Sequence, residues 1–526
     1  MPEAKRRLGG ALAVGIGIFL SRIAGLIRER VLSYYLGLSV AADAFRAALR
    51  IPNLLQNLLG EGVLSASFIP VYARLLAEGR QADASRVARA VGTLLALLAA
   101  LIAAAGVTAA RPLVDILAPG FSGESRELTI VLVRILFPGV ALLVLSAWCL
   151  GVLNSHRKFF LAYVSPVLWN AALIAATIVA GRRLAGHDDD IAIWIAWGAV
   201  VGSALQFLVQ LPEVARLLRS LKPSLAVRDE GVRTTLRAFG PVVLGRGSVQ
   251  LSGYIDQVLA SYLGKGILAA MANAQVLYLL PVSLFGMAVS AAELPEMSSA
   301  VGSVEQRSEV MQTRLRAALR RVVFLVVPSA IAFVTIGGSI VALLFQTGRF
   351  SAQDTHIVWI ILAGSALGLS AGTQGRLLGS AFYALGDPRP PLYAALVRVS
   401  FTGAVGWLFA LPLREHFGYA PEWGAFGLTA SAGFAAWVEF LLLERWLGER
   451  IGAVPIPTRL GLGALAASCV AGGLGYGTSY GLRLAHQRGF VCAIGAIAVF
   501  GLAYLAIMSA ARVPEARAFT RRVLRR

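Results

Sequence analysis

From Leu8 to Ala511 the chain returns repeatedly to predominantly apolar stretches of about twenty residues, the length a helix needs to cross a bilayer's hydrocarbon layer. In that layer no water satisfies a stray N–H or C=O, so a chain of this pattern folds into helices that bond their own backbones. Only 14% of the 526 residues are charged, against about 25% in soluble domains. The expected fold class is an all-α polytopic membrane protein. The opening MPEAKRR, followed by a long apolar helix, reads as a retained first span.

Fourteen transmembrane helices are expected. Spans 1–6 are Leu8–Leu36, Ala41–Tyr72, Ala90–Ala110, Leu128–Leu153, Phe160–Ala180 and Ile191–Leu211. Spans 7–12 are Ala238–Leu263, Ile267–Ser290, Val322–Phe345, Ile357–Leu385, Leu392–Leu411 and Ala425–Leu443. Leu460–Leu482 and Val491–Ala511 complete the set. This divides the chain into a first lobe (1–220), a second lobe (221–450), and a C-terminal helix pair with a basic tail (451–526).

The net charge of +20 invites a nucleic-acid reading, but the positions of the charges oppose it. With the N-terminus cytoplasmic, thirty of the 48 basic residues fall in inner segments, nine in outer loops and nine inside spans. The positive-inside rule then puts both termini in the cytoplasm. Arg182 and Arg183, on an outer loop near Asp188–Asp190, are the main exception. Cys149, Cys469 and Cys492 sit in apolar segments without CxxC spacing and read as small core residues. The five histidines form no metal constellation.

VLSYYLG (Val31–Gly37) returns as VLASYLG (Val258–Gly264), 227 residues later. Each copy precedes a helix with an internal proline, Pro52 or Pro281, and a second proline, Pro70 or Pro295. Spans 1–2 therefore resemble spans 7–8. The two six-helix lobes form a parallel repeat, an arrangement suited to alternating access around a midplane cavity.

The nine arginines inside spans are Arg22, Arg28, Arg30, Arg46, Arg50, Arg134, Arg246, Arg376 and Arg398. Each costs about 2.5–3.5 kcal/mol at a bilayer centre on insertion scales. Snorkelling to the headgroups accounts for those near span ends, with Arg30, Arg134 and Arg376 the natural cases. It does not account for Arg22, fourteen residues into its span. In span 2, Asp43, Arg46, Arg50, Asn53, Asn57 and Glu61 follow a spacing of 3, 4, 3, 4 and 4, which lines one helix face. Cations outnumber anions across spans 1, 2 and 7, where Arg246 adds a further charge. An unbalanced positive site asks for an anion, and guanidinium forks suit phosphate oxygens. The candidate substrate-binding set is Arg22, Arg28, Asp43, Arg46, Arg50, Asn53, Glu61 and Arg246. Gly25, Pro52 and Pro281 are the expected bending points.

The run SRIAGLIRE, then DAFRAALRIPNLLQNLLGEG and SASFIPVY, resembles the start of the MurJ (MviN) lipid II flippases. Further matches are APGF (Ala118–Phe121), LFQTGRF (Leu344–Phe350) and AFYALGDPRPP (Ala381–Pro391). The resemblance implies the multidrug/oligosaccharidyl-lipid/polysaccharide (MOP) exporter fold in a bacterial inner membrane and a role in peptidoglycan synthesis. The implied activity is movement of lipid II, an undecaprenyl-pyrophosphate-linked disaccharide-pentapeptide, from the inner to the outer leaflet. It implies a cationic cavity lined by helices 1, 2, 7 and 8, and a lipid-tail groove at helices 13–14. Ser21, Arg22, Arg28, Asp43, Arg50, Pro52, Asn53 and Glu61 carry over as its functional positions. Gln56–Asn57 and AQVLYLLP (Ala274–Pro281) lack arginines that relatives often have there, and Arg46 and Arg246 are candidates to restore that charge.

Some relatives bind sodium in the second lobe. Here Asp256 and Arg398 are the candidate ion- or charge-coupling pair, with membrane potential as the other drive. Lipid II, membrane lipids and the cell-wall synthesis machinery are the implied partners. The expectation is a transporter, not an enzyme, without a cofactor. A flippase for another undecaprenyl-pyrophosphate oligosaccharide is the nearest alternative. A multidrug/cation antiporter fits less well, because its cavity is acidic.

Overall fold

The computed structural model describes residues 2–287, 289, 304–454 and 456–517; side chains at 2–15, 54–55, 61, 244–252, 287, 304 and 307 are outside the description. Every regular element among the described residues is helical. The chain divides into two compact units, Met1–Ser261 and Tyr262–Arg526.

The first unit holds ten helices: α1 (Pro2–Leu36), α2 (Val40–Leu59), α3 (Glu61–Ser67), α4 (Ile69–Ala77), α5 (Gln81–Thr108), α6 (Ala110–Leu117), α7 (Gly123–Ser155), α8 (Phe159–Arg183), α9 (Asp188–Leu218) and α10 (Glu230–Ser261). The second unit begins with α11 (Ile267–Pro281), which widens into a π turn at Val282–Met287. It continues with α12 (Val304–Thr335), α13 (Gly337–Phe345), α14 (Ala352–Ala366), α15 (Leu369–Ala384), α16 (Arg389–Ala410), α17 (Pro412–Phe417), α18 (Pro421–Ile451), α19 (Thr458–Leu484) and α20 (Gly489–Ala510).

Eleven helices are long and apolar enough to cross a membrane among the described residues, or twelve if α14 and α15, bent by 44°, form one span. The α1 and α10 helices, 35 and 32 residues long, stand where spans 1 and 7 are expected. With those two counted, the structure is compatible with fourteen. The outer face of α9 shows why a bilayer is needed: Trp194, Trp197, Val201, Leu205 and Leu208 form an exposed stripe at helical spacing. Such a stripe is stable only against lipid chains.

Local chemistry sets the helix ends. Ser39 caps α2, its hydroxyl accepting from the Ala42 N–H at 3.1 Å. Arg182 and Arg183 close the last turn of α8, and Asp188–Asp190 open the first turn of α9. Each group complements the helix dipole at its end, so the charge exception on this loop has a local cause. Both copies of the repeated heptad end on a left-handed glycine, Gly37 (φ 55°) and Gly264 (φ 101°), a conformation that favours glycine.

In the first unit α1 runs parallel to α8. An added Cβ on Gly17 would lie 2.6 Å from the Tyr163 Cβ, and one on Gly181 would lie 2.0 Å from the Tyr35 ring. The two helices thus touch through a glycine at each end, and the polar groups between them are held at fixed separation. Ala44, Ala47 and Ala48 on α2 are fully buried, and α2 packs closely on α7. The core beneath joins Phe68 and Tyr72 to Val91, Trp148 and Val152.

The span-2 segment is not one helix. It breaks at Gly60, where the backbone turns to φ −85°, ψ −150°, and Pro52 lies inside the continuous α2. Glu61 therefore begins α3, and the polar stripe on α2 stops at Asn57. A Cβ at Gly60 would sit 2.3 Å from the Gln56 carbonyl oxygen, which already accepts the Gly60 N–H at 2.8 Å. Gly60→Ala is expected to cost about 1–3 kcal/mol through this overlap. Thermal unfolding in detergent measures it, and an unchanged midpoint would rule the overlap out.

In the second unit α12 carries two cores. One joins Leu315 and Leu319 to Phe382 on α15 and Leu443 on α18. The other joins Phe324 and Ile336 to Ala464 and Ala471 on α19 and Phe500 and Met508 on α20. Beyond α20, Glu515 forms a two-armed pair with Arg320 of α12, at 2.6 and 3.0 Å. Burial pushes this carboxyl up, but hydrogen bonds from Arg320 and the backbone, with the charges of Arg320 and Arg321, outweigh it and hold it below the usual range. The stabilisation is thus present above the ordinary glutamate pKa, about 4.3, and is lost as pH falls through the lower native value. Glu515→Gln is expected to open residues 511–517 more easily at neutral pH by about 1 kcal/mol or less, since the pair is partly exposed. It should also remove the acid dependence of amide protection in that segment, as read by hydrogen exchange. Cys149 and Cys492 are buried as expected, whereas Cys469 lies exposed on α19; none is in a disulfide.

Candidate functional site

The charged residues of α1 and α2 gather on Glu29. This carboxylate is only 2% exposed, with Arg28 on one oxygen and Arg46 of α2 on the other. Arg28 Nε also donates to Glu29 Oε1 at 3.1 Å, and its Nη1 donates to Asn170 Oδ1 of α8 at 2.8 Å. The guanidinium plane lies 5.0 Å from the centre of the Trp169 ring. Asn170 is held in turn by donating to the Pro166 carbonyl at 3.0 Å. Three helices therefore meet at one carboxylate flanked by two cations. Burying these charges is tolerable only because they are paired and hydrogen-bonded.

One turn beyond Arg46, Arg50 has a different environment. Its guanidinium lies 5.7 Å from the Tyr254 ring of α10, and the Tyr254 hydroxyl donates to the Arg50 carbonyl at 3.0 Å. A Cβ on Gly253 would come within 2.5 Å of Arg50 Nη2, so the missing side chain makes room for the guanidinium. Among the described residues Arg50 has no carboxylate within ion-pair distance. An aromatic face holds a cation without neutralising it. Arg28 and Arg46 both pair with Glu29, whereas Arg50 has no ion pair among the described residues.

The other expected site residues fall around this cluster or away from it. Asn53 is half-buried on the Arg50 face of α2, and Asp43 is buried near its start. Arg22 is exposed on α1, six positions from Arg28, which is about 240° around a helix. The helix runs unbroken through Gly25, so Arg22 and Arg28 present different faces. Ser21 is half-buried. Arg134 and Arg376 are exposed, as snorkelling residues are. Pro281 ends α11 where the π turn starts, a geometry frequent at functional sites. The side chains of Glu61 and Arg246, and Pro295 of the repeat, lie outside the described residues. Asp256 is half-buried on α10. Arg398 is paired with Glu439 of α18 at 2.9 Å, a partner the sequence reading passes over.

Glu29 as a hub, Trp169, Asn170, Tyr254 and Glu439 are the residues that reading misses. A signal existed for three of them. Glu29, Asn170 and Glu439 are polar groups inside otherwise apolar spans, which by default marks a functional or pairing position.

The sequence profile described as "Lipid II flippase MurJ" matches residues 32–494. This chain belongs to the lipid II flippase MurJ family. It is 33% identical to "Lipid II flippase MurJ" of Burkholderia cenocepacia over 437 residues, covering 82% of each chain. It is 30% identical to "Probable lipid II flippase MurJ" of Rhizobium tropici over 441 residues, covering 82% of this chain and 79% of that one. Its fold matches a solved structure described as lipid II flippase MurJ in an inward closed conformation, with TM-score 0.78, 22% identity, and coverage of 95% and 98%. A multidrug resistance MATE transporter of the MOP superfamily matches at TM-score 0.64 and 18% identity, over 85% of this chain and 99% of that one. Arg28 is held by Glu29 and Asn170, whereas Arg50 faces Tyr254 and has no ion pair among the described residues.

Proposed function

We propose that this protein is a lipid II flippase. It carries the undecaprenyl-pyrophosphate-linked disaccharide-pentapeptide from the inner to the outer leaflet by alternating access, without a chemical step. The observation that carries the reading is Arg50, a guanidinium inside a span with no ion pair among the described residues, in a chain of the MurJ family. The pyrophosphate, with about two negative charges, meets Arg50 first, because no carboxylate among the described residues has to be displaced there. Arg28 joins by exchanging Asn170 for a phosphate oxygen while keeping Glu29. Arg22, on another face of α1, contributes only if that helix rotates. Both termini are cytoplasmic in this reading, and delivered lipid II passes to the cell-wall synthesis machinery outside.

The drive is sodium or the membrane potential. The potential is worth about 2.3 kcal/mol per charge per 100 mV, and an Arg-rich site responds to it. Flipping in proteoliposomes with an imposed potential and no sodium separates the two.

The test of the whole reading is rescue. The protein is expressed in a bacterium depleted of its own lipid II flippase, and outer-leaflet lipid II is measured. Restored growth with restored outer-leaflet lipid II is expected. Failure there, with rescue of an O-antigen flippase mutant instead, overturns the assignment.

A further inference from the structure

The second unit contains a cavity of about 460 Å³ at one end of α19 and α20, which stand where spans 13 and 14 are expected. Its size is within the range of about 300–1,000 Å³ typical of small-ligand sites. Its walls are helix ends: α12 and α19 finish there, α14 and α20 start there, and α13 crosses between them. Since α20 starts in the cavity wall and runs 22 residues to Ala510, the cavity lies at the membrane face away from the C-terminal tail.

The inner wall is already satisfied. The Ser339 and Ser479 hydroxyls are buried and 3.3 Å apart. The Trp359 indole N–H donates to the Phe333 and Val334 carbonyls at 3.1 and 3.2 Å, which fixes its ring as an apolar surface. The open side is built by one face of α19, where Tyr476, Tyr480 and Arg483 follow at i, i+4 and i+7. Both tyrosines are exposed, at 60% and 57%. Arg483 is the one permanently charged side chain of the lining; no carboxylate lines the cavity, and Arg483 makes no ion pair among the described residues. A site with an apolar wall, a tyrosine rim and a single unopposed guanidinium, placed at a membrane face, matches a molecule with a phosphate joined to an apolar chain.

We propose that this cavity binds the phosphate headgroup of an anionic membrane phospholipid. Arg483 holds the phosphate, Tyr476 and Tyr480 flank the glycerol region, and the surface of Trp359 and Ile336 receives the start of an acyl chain. The site is lined by residues of the second unit alone, and its ligand is a membrane phospholipid rather than the transported substrate.

Full-length protein in neutral detergent is titrated with short-chain phosphatidylglycerol, short-chain phosphatidylcholine and inorganic phosphate, with binding read by native mass spectrometry. Saturable, preferential binding of phosphatidylglycerol is expected, weakened about five-fold or more in Arg483→Gln. Arg488→Gln, on the adjoining loop outside the cavity, serves as the matched control and should leave binding unchanged. Ala493→Trp, which fills the cavity while keeping the charge, should also abolish it. Circular dichroism and unfolding without lipid confirm that each variant is folded. Equal binding of the two lipids, or undiminished binding by Arg483→Gln, overturns the proposal. Inorganic phosphate competing as well as the lipid overturns it too, in favour of a free-anion site.

Discussion

Glu29→Ala is expected to lower the unfolding free energy by about 3–5 kcal/mol, because it leaves two buried cations facing each other without their shared anion. Arg28 and Arg46 are only 18% and 13% exposed beside that carboxylate. Water cannot replace it without opening the packing among α1, α2 and α8. Arg46→Met should cost less, about 1–3 kcal/mol, since Glu29 keeps Arg28. Combining Arg46→Met with Glu29→Ala should be milder than the sum of the two, because the second cation is then gone. Thermal and denaturant unfolding of the full-length protein in detergent gives all three values. Strict additivity would mean that the cluster is not a coupled unit.

Arg50→Gln is expected to abolish rescue of a flippase-depleted strain while leaving the fold intact. Arg50 gives up no ion pair among the described residues when it is neutralised, so unfolding should change little. Its loss from a phosphate complex removes charge-assisted hydrogen bonds worth about 1.5–3 kcal/mol each, or roughly 10–100-fold in affinity. Arg50→Lys keeps the charge but not the fork, and should fall between. Tyr254→Phe keeps the ring and loses the hydrogen bond to the Arg50 carbonyl, so transport should persist with a stability loss of about 1 kcal/mol. Growth, membrane abundance and outer-leaflet lipid II are measured together. Normal delivery by Arg50→Gln at normal abundance would remove Arg50 from substrate binding.

Much of this site was legible before folding. The arginines of spans 1 and 2 stand out because charge is costly in a bilayer, and the spacing from Asp43 to Asn57 already puts them on one face of α2. The alanines opposite are the ones that pack on α7. Partner choice was not legible. Arg46 bonds to Glu29, 17 residues away on another helix, which no spacing within α2 indicates. The missing N–H of Pro52 marks it as a bending point within α2. The break in this segment at Gly60 was not legible, because it depends on how close an added Cβ would come to the Gln56 carbonyl.

Hydropathy, helical period and charge placement are properties of short segments. The sequence alone therefore determined that the chain is a many-helix membrane protein, that it contains a repeat, and which residues are too costly in lipid to be incidental. Which groups each cation meets depends on residues far apart in the chain. Arg28 meets Asn170 across 142 residues, and Tyr254 meets the Arg50 carbonyl across 204. Those encounters depend on how glycines and alanines let α1 approach α8 and α2 approach α7, a distance set by packing between segments and not by any pattern within one.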